Sequence, residues 1–359
     1  MRVLLDCRMA TWSGIGRYST GLARALAHTG EVDLVQVIEE GTTPPVPEAP
    51  AMIARAHAFM PAGGREFGRI AAEVQPDITH CLHVPTPIPA PHPLVVTIHD
   101  LTPLVVPSVM PSLVRRVAYR WWNARAAKHA DLILANSQAT RADIERFFPR
   151  AAGRVRVIAH AADDFATVDR GPLPAGLVPN GSRYLLSMGN VKPHKDLPTL
   201  LRAFATLHTN DPELRLLLVG RGFPGYVASV LGADPASAAV SFTGHVDDAT
   251  LRTLYANATV FVFPSRYEGF GLPPLEAMIA GTPVVCSDAA SLPEVVGDAA
   301  VLFPAGDVAA CAAAIARVME EPDLRARLVS AGARRVRSFT WERTAAATLA
   351  AYRELLGAK

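Results

Sequence analysis

Residues 259–286 read TVFVFPSRYEGFGLPPLEAMIAGTPVVC, and their parsing decides the fold. The apolar run Val260 to Phe263 gives way to a loop punctuated by Gly269 and Gly271. Pro273 and Pro274 suit the first turn of a helix, where their missing N–H groups would be unpaired anyway, and Gly281 suits the position just past its end. Pro283 to Cys286 then starts another β-branched run. Strand, loop, helix, glycine stop and strand make one repeat of a parallel sheet. This places Glu268 in the loop and Glu276 in the first helical turn. Gly269 and Gly271 let backbone N–H groups approach a ligand, and the helix N-terminus behind them carries partial positive charge, an arrangement that binds phosphate. A carboxylate beside such a site is costly unless it faces hydroxyls or a developing positive charge, both of which a sugar supplies. A plainer reading of Glu276 is that it complements the helix dipole.

The same rhythm extends in both directions. Short apolar runs separated by helical stretches occur at Val3 to Asp6, Leu34 to Ile38, Ile78 to Leu82, Leu94 to His99, Leu132 to Asn136 and Val155 to Ala159. A second series covers Tyr184 to Met188, Leu214 to Val219, Val240 to Thr243, Val260 to Phe263, Pro283 to Cys286 and Ala300 to Phe303. Each series predicts an α/β domain with a parallel sheet covered on both faces. Between them, Ala166 to Ser182 is rich in Pro, Gly and Asn and reads as a linker. Thr43 to Pro50 and Val84 to Pro93 read as surface loops, and Trp341 to Leu356 as a closing amphipathic helix.

Composition agrees with two cores: 359 residues, half of them hydrophobic, exceed what one core usually holds. A net charge of +2 gives no polyanion-binding signal, so a nucleic-acid partner is not expected. Cys7, Cys81, Cys286 and Cys311 are far apart and show no metal-ligand spacing, which fits a reducing cytosol. The N-terminal run turns polar at Asp6 without a signal-peptide core, and no stretch reaches the roughly 18 apolar residues of a spanning helix. A soluble, cytoplasmic protein is expected, at most resting on the inner face of a membrane.

Glu268-Gly-Phe-Gly-Leu-Pro-Pro-Leu-Glu276, followed by Ala-Met-Ile-Ala-Gly-Thr-Pro-Val-Val, resembles the E-x7-E signature of glycosyltransferase family 4. Similar stretches follow in order over almost the whole chain. The resemblance implies the GT-B fold, with two Rossmann-like domains whose parallel sheets face across a cleft and a C-terminal helix crossing back to the first. The expected domains are 1–168 on the acceptor side, a linker at 169–182, a nucleotide-sugar-binding domain at 183–338, and the returning helix at 339–359. It also implies a retaining enzyme moving a hexose, first of all mannose from GDP-mannose, to a glycan or lipid-linked acceptor.

By this resemblance Glu268 approaches the donor sugar and Glu276 holds the ribose hydroxyls, with Gly269, Phe270, Gly271 and Leu272 lining the donor. Tyr184 to Gly189 is a strand ending in glycine; Asn190-Val-Lys-Pro-His-Lys195 follows at the edge where open α/β sheets bind ligands. Lys195 matches the family's diphosphate-neutralising lysine. The family often has Arg where Asn190 and His194 stand, so the positive charge here rests on Lys195. Gly220 and Val246 end two further strands, the latter beside the nucleotide base. Gly14 and Gly16 open a helix beneath the diphosphate. His99, at a strand end, matches a family histidine that contacts the transferred sugar, while Asp100 orients that ring or binds the acceptor.

No D-x-D occurs in the sequence, so no metal-bridged diphosphate site is expected, and no cofactor beyond the nucleotide-sugar substrate. Nicotinamide binding is disfavoured because Ser19 stands where a third glycine would be needed. A non-catalytic nucleotide-sugar or glycan-binding protein on the same fold is the alternative to an enzyme. Ser137 reads as a helix N-cap. Residues 113–128 mix Arg115, Arg116, Arg120, Arg125 and Lys128 with Tyr119, Trp121 and Trp122, the composition of a surface that contacts anionic membrane; the ordinary alternative buries the tryptophans in the core.

Overall fold

The computed structural model describes residues 1–173, 177, 182–188 and 190–357. Of the expected linker, residues 174–176 and 178–181 lie outside them, as does Gly189. The chain divides into two compact units, Met1–Ala161 with Phe339–Lys359, and Ala162–Ser338. The division falls earlier than residue 168 because Phe165 is fully buried edge-on against Tyr255, at 5.9 Å between ring centroids, inside the second unit.

In the first unit the strands are β1 (Arg2–Asp6), β2 (Asp33–Glu39), β3 (Ala51–Ala54), β4 (Ile78–Cys81), β5 (Leu94–Ile98), β6 (Leu132–Ala135) and β7 (Val155–Val157). They pair in parallel in the order β3-β2-β1-β4-β5-β6-β7. One sheet face packs on Phe67, Ile70, Trp122 and Ala126 from the helices Pro61–Val74 and Leu113–His129. The other packs on Leu22 and Leu26 of helix Ser13–His28 and on Leu349 and Tyr352 of helix Trp341–Gly357. Each such aliphatic side chain contributes roughly 1.5–3 kcal/mol by leaving water. The returning helix sits close: a Cβ on Gly21 would fall 2.1 Å from the Trp341 ring, so any larger residue would push the two helices apart.

The second unit holds β8 (Tyr184–Met188), β9 (Arg215–Val219), β10 (Val240–Gly244), β11 (Val260–Phe263), β12 (Val284–Ser287) and β13 (Ala300–Phe303). Their order is β10-β9-β8-β11-β12-β13, again all parallel. Eleven of the twelve strands read from sequence are bounded within one residue; the twelfth, β7, ends two residues earlier, and β3 is a thirteenth strand that the sequence reading omitted. Its Ala-Met-Ile-Ala lies at the sheet edge and is largely exposed, so it lacks the apolar run of a strand buried on both faces. In each sheet the order reverses once, between β1 and β4 and between β8 and β11. Open parallel sheets bind ligands at the C-terminal ends of strands where this reversal splays the loops apart.

Candidate active site

In the second unit the loops after β8 and β11 meet at that reversal. Lys195 closes a short 3₁₀ turn, Pro193–Lys195, and Glu268 lies in the glycine loop. Lys195 Nζ donates to Glu268 Oε1 at 2.8 Å, and lies 5.1 Å from the centre of the Phe263 ring at the end of β11. Both charged side chains are mostly sequestered, at 19% and 15% exposure, so the ion pair is screened less than a surface pair would be. The turn is fastened from behind. Asp196 adopts a left-handed backbone, φ 46°, and its Oδ2 accepts from Arg266 Nε and from Thr199 Oγ1, each at 2.8 Å. The Arg266 backbone N–H donates to the His194 carbonyl at 2.7 Å.

The glycine loop is held equally firmly. Ser291 Oγ lies 2.9 Å from the Glu268 carbonyl and 2.5 Å from that of Phe270. Gly271 precedes helix Leu272–Ile279 at φ 120°, a region that L side chains rarely enter, and a Cβ there would also lie 2.8 Å from Leu292. Pro273 and Pro274 occupy the second and third helical positions, and Gly281 follows the helix at φ 83°, as the sequence implied. Glu276 differs from expectation: the helix starts at Leu272, so it stands in the second turn, buried at 5% exposure. Its Oε2 accepts from the Tyr255 hydroxyl at 3.1 Å. Dipole complementation at an exposed first turn therefore does not describe it. Side chains in a helix lean toward its N-terminus, so a carboxylate one turn in can still serve that end.

Around this centre, exposed Asn190 accepts at Oδ1 from the Arg221 N–H, tying the loop after β8 to that after β9. The Gly220 N–H donates to the Gly244 carbonyl at 3.1 Å, with Gly220 at φ 136°. Val246, half-buried, precedes Asp247, which caps helix Asp248–Asn257 by accepting from the Thr250 N–H.

In the first unit, Gly14 and Gly16 lie in the opening turn of helix Ser13–His28. A Cβ on Gly16 would fall 2.3 Å from the Ala10 carbonyl oxygen, so the fold itself demands glycine there; at Gly14 a Cβ would meet open space. His99 follows β5. Its Nε2 lies 2.8 Å from the Leu82 carbonyl and its Nδ1 3.2 Å from His160 Nε2. Asp100 does not orient this ring: its Oδ1 accepts from the Thr102 N–H at 2.8 Å, and its carbonyl accepts from Tyr119. Burial pushes the His99 pKa down, against smaller upward effects of the Leu82 carbonyl and Asp100. Burial likewise holds His160 well below the usual range and, with His99 nearby, lowers His80 and His83 to about 3. Four neutral histidines thus share the carboxyl edge of this sheet. Ser137 caps helix Gln138–Phe147, as read from sequence.

On helix Leu113–His129 the expected basic and aromatic set divides. Trp122 is buried, Tyr119 bonds to Asp100 and Arg125 donates to the Pro87 carbonyl, so these three belong to the fold. Arg115, Arg120, Trp121 and Lys128 are exposed, beside Leu113, Val114 and Val117, which no sequence argument had singled out. Among the described residues no helix is long and apolar enough to cross a membrane, and no group of three or more His, Cys, Asp or Glu converges as metal ligands. All four cysteines are buried free thiols.

Tyr255, Arg266, Ser291 and His160, which hold the expected site residues in place, were not found from sequence. Only Arg266 carried a signal, as a charge inside the quoted loop.

The pattern of glycosyltransferase family 4 matches residues 12–164, and that of glycosyl transferases group 1 matches residues 174–335. The chain is 34% identical over 273 residues to O-antigen chain mannosyltransferase B of Escherichia coli, covering 73% of this chain and 70% of that protein. It is 32% identical to an MMP alpha-(1->4)-mannosyltransferase of Mycolicibacterium hassiacum over 285 residues, 74% of this chain and 66% of the relative. Against a D-inositol 3-phosphate glycosyltransferase of a Nocardioides strain, at 34% identity, the match spans 62% of this chain and about half of the relative, 54%. The fold superposes on sucrose-phosphate synthase from Thermosynechococcus elongatus with a TM-score of 0.80 at 22% identity, over the full length of both chains. For Anabaena HepE in complex with UDP and glucose the TM-score is 0.70 at 20% identity, covering 98% of this chain and 99% of that one. With both halves matched by family patterns and a GT-B fold in the structure, the chain belongs to glycosyltransferase family 4.

Proposed function

We propose that this glycosyltransferase is a retaining, metal-independent mannosyltransferase that takes mannose from GDP-mannose and passes it to a glycan or lipid-linked acceptor. The observation that carries the reading is the Lys195–Glu268 pair at the reversal of the second sheet, beside the glycine-capped helix Leu272–Ile279. Two of the similar proteins are named mannosyltransferases, which favours mannose.

In this reading an arriving diphosphate competes with Glu268 for Lys195. The lysine turns toward phosphate and the freed carboxylate meets the sugar. Charge on the departing diphosphate is then met by Lys195, by backbone N–H groups around Gly269 and Gly271, and by the helix N-terminus, a preorganised electrostatic site of the kind that lowers transition-state energy without a cation. Buried Glu276, held by Tyr255, grips the ribose hydroxyls. In the first unit, Gly14 and Gly16 leave backbone N–H groups at the opening of helix Ser13–His28 for donor contact, His99 contacts the transferred sugar and Asp100 serves the acceptor side. Asn190, Gly220, Phe270, Leu272 and Val246 complete the donor contacts. The enzyme works in the cytoplasm, resting on the anionic inner face of a membrane through the exposed Leu113, Val114, Val117 and Trp121 with the arginines around them. Apolar side chains interleaved with cations on one helix suit a lipid interface. Thermal shift and donor hydrolysis across a panel of GDP- and UDP-sugars test the reading: GDP-mannose should stabilise the protein most and be consumed, while a response confined to another donor would reassign the sugar.

A further inference from the structure

His160 has no part in the reaction as read above, yet the geometry around it constrains His99. The Leu82 carbonyl can only accept, so His99 Nε2, 2.8 Å away, carries a hydrogen. A neutral imidazole holds a single N–H, which leaves Nδ1 as a bare lone pair. The group facing that lone pair is His160 Nε2, at 3.2 Å, and it must donate. His160 is buried, at 6% exposure, and its ring stacks on Tyr18 at 4.5 Å and 30°. Tyr18 in turn meets the His99 ring edge-on at 4.9 Å. Tyr18 is itself fixed, its hydroxyl 3.1 Å from Thr97 Oγ1, which lies 2.9 Å from His80 Nε2, whose Nδ1 is 2.5 Å from the hydroxyl of Tyr352 on the returning helix.

We infer that His160 is a positioning residue, which donates to His99 Nδ1 and, together with the Leu82 carbonyl at Nε2, holds His99 as a neutral ring protonated at Nε2. With Nε2–H given to Leu82 and the Nδ1 lone pair taken up by His160, His99 meets its ligand as a neutral ring and never as an acid. That consequence rests on the proposed contact between His99 and the sugar; the tautomer itself does not. The other groups facing His99 are consistent with a neutral ring. His83 lies 5.7 Å away between ring centroids and His80 is a neighbour on the same sheet edge, and a charge on His99 would disfavour protonation of either. Asp100 is the anion that acts on His99, and its effect is smaller than that of burial.

Histidine-selective ¹⁵N labelling and long-range ¹H–¹⁵N correlation of the full chain read the tautomer directly, without turnover. His99 should show a protonated Nε2 and an unprotonated Nδ1 at pH 8, and its titration should lie below the ordinary histidine range. His160→Phe keeps a ring against Tyr18 but removes the donor, and should move the His99 Nδ1 resonance downfield, to that of a lone pair without a hydrogen bond; His160→Gln, which retains an N–H, should restore the wild-type pattern. A wild-type His99 protonated at Nδ1, or a His160→Phe protein whose His99 signals are unchanged, overturns the inference. The wild-type spectrum decides even if a variant fails to fold. Failure of the functional reading looks different: His99→Ala would then transfer sugar at the wild-type rate while the tautomer remained as described.

Discussion

Lys195 and Glu268 stand 73 positions apart in sequence and 2.8 Å apart in the fold, and together they convert two loops into one charged centre. Because each is largely sequestered, neither is a free surface charge. Removing one partner leaves the other poorly solvated and unpaired. Lys195→Ala should therefore lower the melting temperature, and the double variant Lys195→Ala with Glu268→Gln should recover part of that loss. Calorimetry of the four proteins checks this; strictly additive effects would mean that the pair is not coupled.

Glu276→Gln should weaken donor binding more than it slows turnover, because a carboxylate gripping ribose acts in the ground and transition states alike. A hydrogen bond to a charged group contributes about 1.5–3 kcal/mol, so KM should rise by roughly 10- to 100-fold. Tyr255→Phe, which frees the carboxylate held at 3.1 Å, should shift KM in the same direction by less. Steady-state kinetics decide, and a fall in kcat at constant KM for Glu276→Gln would place that residue at the reacting centre instead.

Some of this was legible in the sequence and some was not, for physical reasons. Strands buried on both faces must be continuously apolar, so β1, β8 and β11 could be read directly, and prolines and glycines marked the ends of helix Leu272–Ile279. Edge strand β3 has no such requirement and left no trace. The depth of Glu276 turned on a helix starting one residue before Pro273, a shift that moves a side chain from the exposed first turn into the core. Tyr255, Ser291 and His160 become visible only when the sheets bring loops together, since nothing in their local sequence distinguishes them from packing residues.

Stability of the first unit should fall with acid. His80 and His83 are lowered to about 3, and His99 and His160 are lowered too, in each case chiefly by burial. Unfolded histidine titrates near 6.5, so below that pH the unfolded chain binds protons that the folded one does not, and the stability present above about 6.5 is lost progressively toward the folded pKa values. Each neutral histidine contributes a slope of up to roughly 1.4 kcal/mol per pH unit in this window. Melting temperatures from pH 7.5 to 5 should drop steeply, and His80→Gln should flatten the curve. A flat wild-type profile would contradict the neutral cluster.

Trp121→Ala with Val117→Glu should abolish flotation with anionic liposomes at low salt while leaving the melting temperature nearly unchanged, since Trp121 is 48% and Val117 60% exposed. Trp122→Ala, by contrast, should cost stability, about 3–5 kcal/mol for an aromatic removed from a core. Equal flotation of the wild type and the double variant would remove helix Leu113–His129 as the membrane contact.

In the proposed mechanism Lys195, without a metal ion, stabilises the diphosphate leaving group. Consumption of GDP-mannose in excess EDTA, measured side by side for the wild type and Lys195→Ala at saturating donor, tests it most directly. Wild-type turnover should be undiminished in EDTA and the variant slower by about 10²–10³. Equal rates for the two proteins, or a wild-type rate abolished by EDTA and restored by magnesium or manganese, would contradict it.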